Sequence, residues 1–276
     1  MDIGLLGPLH VTENGVSIAP TAPKPRQVLA LLALHADRVV PVGTLVEELW
    51  AGTPPRSART TLQTYVLQLR ELIASAPHRS AGPGGSDPRS AKDVLATLPG
   101  GYLLATGGGH SDVREFERLR ELGCRAMEEG NHAQASGILR QALDLWGGPP
   151  FADVSTGTHL ALEARRLEES RLCALDRRIE ADLRLGRHRE LLAELTVLTS
   201  RYRSHENLHA QFMLALHRSG RRGEALDVYQ RLRTLLVREL GLEPSARLRR
   251  LQQSILQAAA DDPRSAPHHE DLARVP

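Results

Sequence analysis

Apolar and polar positions alternate with clear periods along the first hundred residues. IGLLGPLHV and VTENGVSI read as short strands, and Asn14-Gly15 between two strand-like runs is a strong hairpin signal. KPRQVLALLALHA then places Val28, Leu31 and Leu32 at helical spacing. Apolar character resumes from His35 to Val39, and Pro25 suits a helix start. VGTLVEELW predicts a shorter helix with Leu45, Val46, Leu49 and Trp50 as its apolar side, stopped by AGTPP. In RSARTTLQTYVLQLREL, Ala58, Tyr65, Val66, Leu69 and Ile73 fall within about 60° of Leu62 on a helical wheel. The opposite face carries Arg56, Ser57, Thr60, Gln63, Thr64 and Glu71, with Gln68 and Arg70 at its margins. It is almost free of the Glu/Lys pairs that solubilise surface helices. Short side chains that donate and accept suit base edges, and a plain solvated face is an equal alternative at this point.

The stretch 74–93 has small residues, Pro and Gly without apolar periodicity, and predicts a loop. VLATLPGGYLLAT predicts a hairpin turning at Pro99, Gly100 and Gly101. A sheet, three helices and a terminal hairpin make a winged helix-turn-helix over residues 1–107. Beyond Gly107 to Gly109 the pattern is helical throughout. LRLGRHRELL around Gly186 and LHRSGRRGEAL around Gly220 repeat at 34 positions, the period of tetratricopeptide helix pairs. An earlier copy turns at Gly130-Asn131, and its Ala135, Leu139 and Ala142 match Ala225, Tyr229 and Leu232. WGGPPFADVS interrupts the period. The expected fold is mainly α with a small β portion: an N-terminal winged helix-turn-helix and a C-terminal tetratricopeptide-like α-helical repeat domain over residues 110–258. Residues 259–276 lack apolar content and are expected to be a disordered tail.

Composition changes this picture little. A chain of 276 residues, 41% hydrophobic and 25% charged, is long enough for two cores. No apolar run approaches the roughly 18 residues of a membrane span, and Met1 leads into DIGLLGPLHV without a signal-peptide pattern, so a cytoplasmic, nucleoid-associated protein with no membrane partner is expected. Cys124 and Cys173 form no CxxC and are expected to be small buried hydrophobes. A net charge of +2 and a pI of 8.7 discriminate weakly, since strongly basic nucleic-acid domains exceed about pI 9. Only Lys24 and Lys92 of the 35 basic residues are lysines, so abundant arginine is a bias of usage and no proof of phosphate binding. GxxxxGK[ST], GxSxG and HExxH are all missing, and GPGGS and GGGH lack the strand and helix of a phosphate cradle. No catalytic residue, metal or cofactor is expected, and His268 and His269 are read as incidental.

KPRQVLALLALHADRVV, LVEELW, SARTTLQTYVLQLREL and LPGGYLL, followed by repeats carrying LWGGPPFADV and ELGLEPSARLRRLQ, together resemble the Streptomyces antibiotic regulatory protein family. The likeness spans about residues 1–258, in a small version without the nucleotide-binding module of larger relatives. It implies an OmpR-like winged helix joined to a bacterial transcriptional activation domain. It also implies an activator of a biosynthetic gene cluster that binds direct repeats in double-stranded promoter DNA, with two protomers side by side, and recruits RNA polymerase including its sigma factor. Carried over by residue, the helix from Arg56 is the recognition helix, with Arg56, Thr60, Gln63, Thr64, Gln68 and marginal Arg70 toward the major groove. Ser57 and the first-turn amides would hold phosphate, with Lys24, Arg26 and Arg59 as backbone clamps. Pro99, Gly100, Gly101 and Tyr102 would approach the minor groove as a wing, and Gly52, Thr53, Pro54 and Pro55 would face polymerase. Solvated surface, a plain hairpin and a loop that only orients two helices are the bland alternatives. The competing function is a repeat-domain interaction adaptor.

Overall fold

In the computed structural model, which describes residues 1–76 and 89–257, Asn14 and Gly15 take φ of 53° and 83°. Left-handed backbone at both positions is what a two-residue turn between twisted strands requires. It joins β2 (His10–Glu13) to β3 (Val16–Ser17), and β1 (Asp2–Gly4) completes an antiparallel sheet in the order β1-β2-β3. Three helices follow: α1 (Pro23–Leu34), α2 (Val42–Trp50) and α3 (Ala58–Ser75). Asp37, at φ 65°, turns the chain after α1, so Val39–Pro41 forms a strand, β4, and does not extend the helical pattern. A four-residue helix, α4 (Ala91–Val94), leads into β5 (Leu95–Leu98) and β6 (Gly101–Leu104), which pair in the order β4-β6-β5. The loop expected over 74–93 is thus helical at both margins, the second started by a capping box between Ser90 and Asp93. Its middle, 77–88, and the expected tail, 259–276, lie outside the described residues.

Compactness does not divide the chain at residues 107–110. One compact unit comprises Met1–Ala126 together with Gly137–Leu175. It therefore takes in most of α5 (Asp112–Glu128), the later part of α6 (His132–Asp144) and the beginning of α7 (Thr158–Arg184). Leu5, Leu29, Leu45, Leu62, Leu95 and Leu104 share one apolar core with Phe116, Trp146, Phe151 and Leu160. Phe116 meets Trp146 edge-on at 5.2 Å between ring centroids. The Gly/Pro-rich insertion that breaks the repeat is a strap over the first loop of the chain. The amides of Gly147, Phe151 and Ala152 donate to the carbonyls of Leu6, Leu5 and Gly7 at 2.8, 3.0 and 3.0 Å.

Carboxylates fasten the same unit. The side chain of Glu48, 2% exposed on α2, accepts from the amides of Gly157, His159 and Leu160 at 2.5, 2.8 and 3.1 Å. It also accepts from Gln27 Nε2 on α1 at 2.9 Å. A carboxylate here meets unsatisfied donors and the positive end of the α7 dipole together. Asp112 does the same for the Leu5 and Leu6 amides, at 2.7 and 2.8 Å.

The second unit comprises Met127–Ser136 and the chain from Asp176, with α8 (Leu192–Arg201), α9 (Glu206–Arg218), α10 (Arg222–Leu240) and α11 (Ala246–Gln257). Gly130, Gly186 and Gly220, the residues that mark the repeat, all turn with φ between 76° and 81°. A left-handed residue at a helix end is where glycine costs least. Asp182, 1% exposed, accepts from Ser136 Oγ at 2.7 Å and from Arg187 at 2.9 Å, while Arg178 donates to Glu194 at 2.7 Å. Cys124 is half-buried and Cys173 exposed, contrary to the expectation that both are buried. No helix among the described residues is long and apolar enough to cross a membrane.

Two outcomes follow from these features. Glu48→Ala strands three amides and one side-chain N–H, and should lower the unfolding free energy by about 3 kcal/mol. Urea denaturation measures it, and a loss below about 1 kcal/mol would remove Glu48 as a fastening point. Burial also holds the pKa values of His35 and His209 below the ordinary 6.5. Their neutral forms are favoured in the folded state, so stability is full above pH 6.5 and declines as pH falls through the window beneath it. Denaturation midpoints measured across that window should drop, and should flatten in a double variant with both histidines replaced by Gln.

Candidate nucleic-acid interface

The five residues Ala58, Leu62, Val66, Leu69 and Ile73 bury the inner side of α3. Tyr65, expected in that stripe, is half-buried at its edge. Fixing this side exposes the other, and Arg56, Ser57, Arg59, Thr60, Gln63, Thr64 and Gln68 all lie open. Ser57 stands at the N-cap without using its side chain there, and no acidic residue occupies the first turn. The positive end of the helix dipole therefore faces outward beside Arg56 and Arg59, neither of which forms an ion pair among the described residues. Such an end is suited to an anion. The Thr64 hydroxyl donates back to the Thr60 carbonyl at 3.2 Å.

Four of the expected contact residues are otherwise engaged. Lys24 is half-buried, with its ammonium on the Leu49 carbonyl at the end of α2. Arg26 donates to the carbonyls of Pro20 and Leu9 at 3.1 and 3.2 Å and pairs with Asp153. Neither is a free clamp, because each satisfies acceptors of its own fold. Arg70 donates from Nε and Nη2 to the Leu95 carbonyl at 3.0 and 2.8 Å, and from Nη2 to Thr97 Oγ1 at 2.8 Å. It ties α3 to β5. Tyr102, only 6% exposed, pairs with Val40 and Thr97 in the sheet and belongs to the core.

The hairpin tip separates its two glycines. Gly100 has φ 83° with open space around it, whereas a Cβ on Gly101 would sit 2.3 Å from the Val40 carbonyl oxygen. Gly100 thus serves the turn and Gly101 the close approach of β4 and β6. Pro99 and Gly100 remain exposed at the tip. Between α2 and α3 the chain turns through left-handed Ala51 and Gly52, at φ 45° and 86°, and Gly52, Thr53, Pro54 and Pro55 are all exposed. Thr53 closes the turn by donating its amide and hydroxyl to the Trp50 carbonyl at 3.0 and 3.1 Å.

Sequence reading placed Arg70 at the margin of the polar face, and the structure shows it within reach of the next strand. One exposed residue of that face was passed over. Leu67, 56% exposed, stands among the polar side chains of α3 and off the buried stripe.

Residues 18–81 match the family model "transcriptional regulatory protein, C terminal", and residues 111–256 match "bacterial transcriptional activator domain". Regulatory protein DnrI of Streptomyces peucetius is 54% identical over 275 residues, covering 100% of this chain and 99% of that protein. Regulatory protein AfsR of Streptomyces coelicolor is 37% identical over 256 residues, 92% of this chain but 24% of that longer protein. The solved structure of Mycobacterium tuberculosis EmbR in complex with a low affinity phosphopeptide superposes with a TM-score of 0.82 at 34% identity, covering 93% of this chain and 65% of that one.

Arg70→Ala removes three hydrogen bonds between α3 and β5 while leaving the outer face of α3 intact. Stability should fall by about 2 kcal/mol, a typical loss for bonds to a charged donor. Affinity for duplex DNA should fall with base preference unchanged. A variant with altered base preference would show that Arg70 reads sequence directly.

Proposed function

The chain belongs to the Streptomyces antibiotic regulatory protein family, and on that premise we propose that it is a sequence-specific DNA-binding activator of an antibiotic or related secondary-metabolite gene cluster. Its relatives by family are transcriptional regulators. The observation that carries the reading is the outer face of α3, where two arginines without an ion pair among the described residues, a free N-cap serine and four short or amide side chains stand open beside a first turn that holds no acidic residue. Arginine pairs with guanine, Gln63 and Gln68 suit adenine, and threonine methyls suit thymine. Arg56, Ser57 and Arg59 hold phosphates and set the register. Pro99 and Gly100 form the part of the wing able to reach an adjacent minor groove.

Direct repeats near the promoter are the proposed target, read by two protomers in the same orientation through a heterologous contact. The exposed turn Gly52 to Pro55 is the proposed contact for RNA polymerase and its sigma factor, since it stands open to solvent and leads directly into α3. The residues after 110 would position neighbouring protomers and polymerase, and the protein would act on the nucleoid in the cytoplasm.

Base readers and phosphate holders separate under mutation. Gln63→Ala and Thr64→Ala should each lose discrimination at particular base pairs, at roughly 1 to 3 kcal/mol for a good contact. Arg59→Ala should weaken all sequences alike and flatten the dependence of affinity on salt. Competition titrations against mutated sites at fixed salt measure both. Wild-type sequence preference in folded Gln63 and Thr64 variants would refute the assignment, and binding that does not respond to salt would favour the protein-interaction adaptor.

A further inference from the structure

Leu67 is the one large hydrophobic residue of α3 that lies exposed, at 56%. It sits about 140° around the helix from the buried Leu62, near the middle of the outer face between Thr60, Gln63, Thr64 and Glu71. Isolated exposed leucines on protein surfaces are ordinary. This one is informative because of what surrounds it. Phosphate holders lie earlier in the helix, at Arg56, Ser57 and Arg59. Leu67 offers no donor, and the exposed carboxylate of Glu71 one turn on repels phosphate. A helix docked through its outer face must therefore bring this stretch over base edges and away from the backbone. The major-groove edges carry one apolar group, the C5 methyl of thymine.

We infer that Leu67 is a specificity-determining residue that packs against a thymine methyl in the major groove. The inference rests on α3 being the reading helix and adds an apolar contact to the polar ones. Core packing does not employ the side chain, so its replacement leaves the buried stripe of α3 whole. The same position explains why a polar residue is not required there: the thymine methyl is recognised by excluded water, and leucine excludes more than glutamine or serine.

The test removes that methyl from either side. Duplexes selected by the full chain from a randomised pool are remade with each thymine replaced singly by deoxyuridine, which deletes only the methyl group. Wild-type affinity should drop about fourfold at one or two positions, the factor for one buried methyl. Leu67→Ala should bind the thymine and deoxyuridine duplexes alike at those positions, and Leu67→Gln should do the same. Unchanged salt dependence in both variants reports that phosphate contacts, and hence folding, persist. If the variants keep the wild-type ratio at every thymine, Leu67 does not read a methyl and this inference falls while that of Gln63 and Thr64 stands. If the wild type shows no deoxyuridine effect, the methyl contacts of Leu67 and of the threonines fall together and the Gln63 reading stands. Failure of the full chain to enrich any sequence overturns both readings together.

Discussion

The buried carboxylate of Glu48 is the interaction on which the geometry of the first unit turns. Taking a carboxylate out of water is costly unless its oxygens are filled with donors, and here three backbone amides at the start of α7 and one glutamine N–H fill them. The result is directional. Helix α2 cannot rotate without breaking bonds to α1 and to α7 together, and α3 packs on the first two of these. A helix that is to present side chains to base edges must be held to within a fraction of an ångström, and an apolar core alone tolerates more slip than a saturated acceptor does.

Glycines do complementary work where no side chain fits. A Cβ at Gly157 would lie 2.0 Å from the Glu48 carbonyl oxygen, and one at Gly109 would overlap the Met1 carbonyl. Both close approaches draw later segments against the winged helix. Together with the strap at Gly147 to Ala152 they place the family's LWGGPPFADV motif in the folding of the N-terminal part, although it lies far along the chain.

Elements with a strong period were legible beforehand: the Asn14-Gly15 hairpin, the buried stripe of α3 and the glycine turns at Gly130, Gly186 and Gly220. Each is local, set by backbone sterics or by one helix face. What stayed hidden was tertiary. Glu48 reads as one more polar position on an amphipathic helix, and nothing nearby announces acceptors for amides a hundred residues on. Lys24, Arg26 and Arg70 read as free cations because their acceptors are backbone carbonyls, which leave no mark in sequence, joined by side chains distant along the chain, Asp153 for Arg26 and Thr97 for Arg70. Tyr102 followed its glycines into the wing, but the two-residue period of β6 turns it inward. Leu67 escaped notice because an apolar residue among polar ones looks like noise until its exposure is known.

The shared core of Leu5, Leu45, Phe116, Trp146 and Phe151 also bears on how such regulators can be recombined. The glycines at 107–109 look like a natural seam for exchanging reading heads between relatives. A chimera joined there would pair a winged helix from one parent with α5, strap and α7 start from another, and every carboxylate clasp and apolar contact across the seam would have to match. The transplantable cassette is instead the compact unit of residues 1–126 with 137–175, a discontinuous block. On the proposed reading of α3, target specificity is therefore more readily altered by point changes on its outer face than by shuffling whole domains.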